Sequence, residues 1–235
     1  MEQDPGLSVL GVTGLPEVSP GDDLAGMIGR GVRLRSGDVV VVTQKIVSKA
    51  EGRIVAVDPA DGQSRVAVAE QEAVRVLRRR GELLITETPH GFVCANSGVD
   101  HSNIAAGYAA LLPVDSDRSA RRIRDGLRAS TGVEVAVIVS DTFGRAWRNG
   151  VTDVAIGSAG IRPIVDLRGT ADVFGRTLVA TEICVVDEIA AAAELVMGKT
   201  ASVPVAVVRG VDPSWFGEGS VVGDVVRSPA EDLFR

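Results

Sequence analysis

The sequence is short of the groups that most often announce a site. It has two histidines, two cysteines and 3% aromatic residues among 235 positions. Cys94 and Cys184 lie far apart and in no metal-like spacing. No disulfide framework is expected, and a reducing compartment is the default. His90 and His101 share no ligand spacing with each other or with a cysteine, so a zinc site is not expected. No Ser-His-Asp pattern is readable. Few aromatics and 27 glycines leave a core of Val, Ala, Leu and Ile crossed by many turns.

Positive charge is also in deficit. Lysine plus arginine number 25 against 31 acids, a net charge of −6, and "RRR" at 78–80 is the one basic run. This argues against nucleic acid as a bulk partner but not against a small anion in a local basic pocket. The longest apolar runs, such as "VPVAVV" at 203–208, are far too short to cross a membrane. The start, "MEQDPGLS", is acidic and polar, unlike a signal peptide. A cytoplasmic protein with no membrane partner is expected. At 45% hydrophobic residues the chain can fill one large domain or two small ones.

What is present is a series of short apolar runs and polar clusters, without repeats. "GDVVVVT" at 37–43, "ELLITET" at 82–88, residues 133–139 and "VPVAVVRG" at 203–210 read as strands. Residues 64–80 place Val66, Ala69, Ala73, Val74 and Leu77 on one helical face. Residues 116–129 read as a helix capped by Ser116 or Asp117, and 187–197 as an alanine-rich helix. "GLPEVSPGDDL" at 14–24 is a turn leading to a helix capped by Asp22 or Asp23. After Gly210 the pattern weakens. Uniformly apolar strands need cover on both faces, so a mixed α/β (α+β) fold is expected rather than a regular doubly wound one.

Four polar stretches carry the chemistry. "GKT" at 198–200 imitates the end of a P-loop, but Ala193 stands where its first glycine must be. The helix also precedes it and the strand follows, so the P-loop is rejected in favour of a glycine helix stop. "ANSGVDHSN" at 95–103 offers oxygen donors in Asp100 and Asn103, although a self-bonded turn explains it alone. "VVTQKIVSKAEGR" spaces Lys45, Lys49 and Arg53 by four, as a solvated helix face does. "SDTFGRAWRNG" at 140–150 sets Asp141 just past an apolar strand, with Thr142, Arg145 and Arg148 beside it. Asp141 and Thr142 are hard oxygen ligands for magnesium or manganese, and the arginines are anion clamps. A surface salt bridge accounts for the same residues, and both readings stay open.

Taken in order, these stretches resemble the coenzyme F(420)-0:γ-glutamyl ligase family, which also forms the N-terminal half of a longer actinobacterial protein. The matching segments include "ITETPHGFVCANSGVDHSN", "VIVSDTFGRAWRNGVTDVAIG", "DLRGTADVFGRTLVATE" and "DEIAAAAELVMGK", and together they span about residues 10 to 210. The resemblance implies a ligase domain over 1–210 and a tail over 211–235 that links to a second domain in longer members. It implies an unusual ligase fold and an intertwined homodimer. It implies GTP- and metal-dependent joining of L-glutamate to the terminal carboxylate of the deazaflavin precursor through an acyl-phosphate. GDP and phosphate are released, and further γ-linked glutamates can follow.

Two divalent ions, magnesium or manganese, are implied, with a monovalent cation such as potassium as a further expectation. Asp100, Asp141 and Thr142 match metal ligands. Leu15, Pro16, Glu17, Val18, Gln44, Lys49 and Asn103 match nucleotide contacts, as does the loop Met197, Gly198, Lys199, Thr200, Ala201, Ser202, Val203 and Pro204. Lys199 stands where archaeal members carry a glutamine that helps hold the second ion. Arg145 and Arg148 are assigned from their chemistry as catalytic anion clamps. A nucleotide-binding module without full activity and a metal-dependent phosphohydrolase are the alternatives.

Overall fold

The computed structural model describes residues 6–233; the extreme start of the acidic N-terminal stretch and the last two residues lie outside it. In chain order the elements are β1 (Ser8–Gly11), α1 (Leu24–Gly31), β2 (Val39–Thr43), α2 (Gln44–Ala50), β3 (Ile54–Ala56) and α3 (Gly62–Gln71). Then come β4 (Arg75–Arg80), β5 (Leu83–Glu87), β6 (Val93–Ala95), β7 (Tyr108–Ala110) and α4 (Ser116–Thr131). The last third holds β8 (Ala136–Arg145), β9 (Arg148–Ala159), β10 (Ile164–Asp166), β11 (Glu182–Cys184), α5 (Val185–Met197), β12 (Val205–Arg209) and α6 (Val221–Asp224).

The central sheet runs β1-β12-β2-β8-β9. Only β2 and β8 pair in parallel; the rest is antiparallel. Successive side chains on a strand point to opposite faces, yet Val39 through Val42 are all fully buried. Both faces are therefore covered, by α4 with α1 packed on it and by α5. The mixed α/β expectation holds. Smaller sheets β3-β7 and β4-β5-β6 form a second lobe with its own cluster around Val66, Ala69 and Leu84. No described helix is long and apolar enough to cross a membrane.

Three sequence expectations fail. The helix over 64–80 ends at Gln71, and Arg75–Arg80 is a strand paired with β5. The turn between them is two residues long, Gly81 and Glu82, with Gly81 at φ 60°, where glycine is favoured. That hairpin supplies backbone partners the helical pattern could not reveal, and it leaves Val74 exposed. The cap of α4 is Asp115, whose carboxylate accepts from Arg118 N at 2.8 Å. Asp117 is buried instead, accepting from Ser158 N, Val221 N and Val222 N. Its approach to β9 requires Gly157, where a Cβ would lie 2.3 Å from the Ser116 carbonyl carbon. Finally, β8 does not stop at residue 139. It runs through "SDTFGR" and turns back as β9, which the sequence reading missed.

Some of the described residues after Gly210 join the main core. Val211 and Val221 are buried in it, and Asp117 anchors the start of α6.

Candidate functional site

The apolar strand β2 feeds directly into α2, and β8 lies beside β2 in parallel. Their C-terminal ends open on one side of the sheet, where clefts form in α/β proteins. A cleft of about 370 Å³ lies there. Its walls come from the turn after β1, α2, the loop after β6, β8 and the end of α5.

Of the residues matched by resemblance, Leu15, Pro16, Glu17, Val18, Lys49, Asn103, Met197, Gly198, Lys199, Ser202, Val203 and Pro204 line this cleft. Asp100 and Asp141 line it too. Sequence separations approaching two hundred residues are thus closed in one cavity. Thr142 lies in an adjoining hollow of about 340 Å³ lined also by Cys94, Asn96 and Phe143. Asp100, Asp141 and Lys199 belong to both walls and form the divide.

Five assigned residues are placed elsewhere. Gln44 is turned into the core, donating to Ser48 Oγ at 2.6 Å and to the Leu111 carbonyl at 2.9 Å. About 100° round α2 from Lys45, its side chain is buried and does not line the cleft. Thr200 and Ala201 are exposed on the loop and do not line the cleft. Arg145 and Arg148 sit on the exposed β8–β9 hairpin tip, with Arg145 Nη2 bonded to the Asn149 carbonyl at 2.9 Å. Neither lines the cleft of its own chain.

The electrostatics explain the polar crowding. Lys45 Nζ lies 2.9 Å from Asp100 Oδ2 and 2.7 Å from Ser102 Oγ. Burial alone raises the Asp100 carboxyl, but the Lys45 ammonium and the Ser102 amide outweigh it, so its pKa falls below the usual range. Lys49 Nζ bonds Glu17 Oε1 at 2.5 Å and the Asn103 carbonyl at 3.2 Å. Asn103 Nδ2 donates to the Lys199 carbonyl at 3.1 Å, clasping two walls together.

On β8, Ser140 and Thr142 share a face because they are two apart. Both hydroxyls donate to the buried Asp153 on β9, at 2.8 and 2.5 Å. Between them Asp141 faces the cleft. Burial, with Asp100 and Asp153 nearby, pushes its carboxyl up to about 7 against the Thr142 amide and Lys199. A β-bulge at Ile156 separates the pair Val139–Gly157 from Ser140–Ala155 and re-aims this part of the hairpin toward the site.

Lys45, Glu194 and Asp153 were missed as site residues. Lys45 read as part of a solvated face, and Glu194 only as one position of the alanine-rich helix. The signal for Asp153 was an acid inside an apolar strand run, which is costly unless it is bonded. Among the described residues no group of three or more His, Cys, Asp or Glu side chains forms a ready metal set.

Comparison with known proteins adds an independent line. The model of the "F420-0:Gamma-glutamyl ligase" family matches residues 13–210. The "Coenzyme F420:L-glutamate ligase" of Methanothermobacter thermautotrophicus is 40% identical, covering 98% of this chain and 99% of the relative. The protein of that name from Methanopyrus kandleri is also 40% identical over the same shares. That from Archaeoglobus fulgidus is 39% identical over 97% of this chain and 96% of the relative. The chain therefore belongs to the F(420)-0:γ-glutamyl ligase family.

Proposed function

We propose that the chain joins L-glutamate, through its amine, to the terminal carboxylate of the deazaflavin precursor F(420)-0, using GTP and a divalent cation. The observation that carries this reading is the pair of hollows that meet at Asp100, Asp141 and Lys199. A phosphoryl donor in one and a carboxylate acceptor in the other would face each other across that divide. The same arrangement favours transfer to an acid over simple hydrolysis, which needs one hollow and water.

The donor set fits a hard dication. Asp100, Asp141 and Thr142 offer only oxygen, and a bound cation would offset the burial that disfavours the Asp141 carboxylate. With few protein ligands, phosphate oxygens and water would complete the shell, as magnesium prefers. A divalent ion bound there supplies neutralisation of the phosphoryl oxygens.

The chain's own residues do the rest. Lys45 keeps Asp100 ionised. Lys49 and Lys199 present ammonium groups to anionic ligand oxygens. Leu15, Pro16 and Val203 give an apolar wall suited to a flat base. In the first step an oxygen of the precursor carboxylate attacks the γ-phosphorus and GDP leaves. In the second the glutamate amine attacks the acyl carbon, loses a proton, and inorganic phosphate departs with the attacking oxygen. Holding both partners in line supplies much of the rate.

A homodimer is part of the same reading. Trp147 on the β8–β9 hairpin, and Val173, Phe174 and Val179 on the loop between β10 and β11, are each more than 80% exposed. Large apolar side chains on two projecting arms suit burial against a second copy.

The test is isotopic. The precursor carboxylate is labelled with heavy oxygen and turned over once with GTP. One labelled oxygen is expected in the released phosphate, with the other retained in the amide. Amide formed with no label in phosphate would remove the acyl-phosphate route.

A further inference from the structure

The hydroxyl of Thr142 has one proton to give. That proton is committed to Asp153 Oδ1, 2.5 Å away, and the other Asp153 oxygen is taken by Ser140. Toward the cleft the Thr142 oxygen can therefore only accept. Lys199 Nζ donates to it. The lysine is not a free arm. Its carbonyl is held by Asn103, and Gly198 at φ 57° turns the chain directly after α5 to deliver it.

Lys199 lines the cleft together with Asp141 and Glu194. An ammonium thus stands where an oxygen-ligated cation would otherwise sit. A dication on the Thr142 oxygen would have to displace it or lie against it, and two cations on one oxygen in a partly desolvated cleft repel strongly.

We infer that this chain holds a single divalent ion, between Asp100 and Asp141, and that the Lys199 ammonium replaces the second ion expected for the family. The inference rests on the metal-dependent ligase reading of the cleft. It makes Lys199 a fixed unit of positive charge for the phosphoryl group, present whatever the metal concentration.

Metal stoichiometry tests this without turnover. Manganese alone, with no nucleotide, is titrated into the full chain, and free ion is followed by electron paramagnetic resonance. The wild type should bind one ion per chain. Lys199→Gln, which removes the charge and offers an oxygen, should bind two. Lys199→Arg keeps the cation and should stay at one, and Asp141→Asn should bind none. Lys199 is exposed on its loop, so these variants leave the core untouched. Two ions on the wild type, or one on Lys199→Gln while Asp141→Asn loses binding, would overturn the inference alone. Binding that survives in Asp141→Asn, or none in the wild type, would remove the metal reading and this inference with it.

Discussion

Lys45 Nζ sits 2.9 Å from Asp100 Oδ2, joining the first turn of α2 to the loop after β6. Both side chains are mostly enclosed, at 12% and 26% exposure, so solvent screens the pair only in part. Lys45→Met should leave Asp100 with its Ser102 bond alone. A charge-assisted bond of this kind contributes about 1.5–3 kcal/mol, so kcat/KM should fall roughly 10- to 100-fold. Lys45→Arg should recover part of that loss. Equal activity in the methionine variant, measured at saturating metal, would show that the pair does not prepare the site.

The two thiols should be inert. Burial, with the negative charge of Asp141, pushes Cys94 up to about 12, and burial with Asp187 does the same to Cys184. At pH 8 only about one thiol in ten thousand would be thiolate. Iodoacetamide should leave both unmodified in the folded protein and alkylate both in guanidinium. Rapid labelling of native protein would contradict these environments.

Asp117 should matter to stability rather than to chemistry. It accepts from three backbone amides of two segments, at 2.8, 2.9 and 3.3 Å. Asp117→Ala leaves those donors unpaired in the core, which should cost about 3 kcal/mol. Urea unfolding would measure it. Asp117→Asn, which keeps an acceptor oxygen, should cost less than the alanine variant.

The exposed arms predict assembly. Light scattering at micromolar concentration should give twice the chain mass. Trp147→Asp combined with Phe174→Asp should shift the protein toward monomer without unfolding it, because both side chains are already in solvent within one chain. A wild-type monomer would leave these arms without the proposed partner.

The sequence disclosed the strands better than the connections. Val39–Val42 and Val205–Val208 are uniformly apolar because both sheet faces are covered, and uniform runs are easy to read. Arg75–Arg80 was misread because its partner strand, not its own residues, decides its state. The site was legible only as a set. Lys49 and Asn103 look like surface residues one at a time, and only their order along the chain matched them to a cleft. Gln44 and Lys45 show the limit of such matching. They are adjacent, yet the helix turns one into the core and the other into the cleft, a distinction set by α2 packing beside β8.

The most direct measurement combines purified protein with F(420)-0, L-glutamate, GTP and manganese, and follows the deazaflavin by mass spectrometry. A product heavier by one glutamyl residue should appear together with GDP, and Asp100→Asn and Asp141→Asn should each abolish it. GTP hydrolysis with no change in the deazaflavin, or full ligation by either variant, would contradict the account.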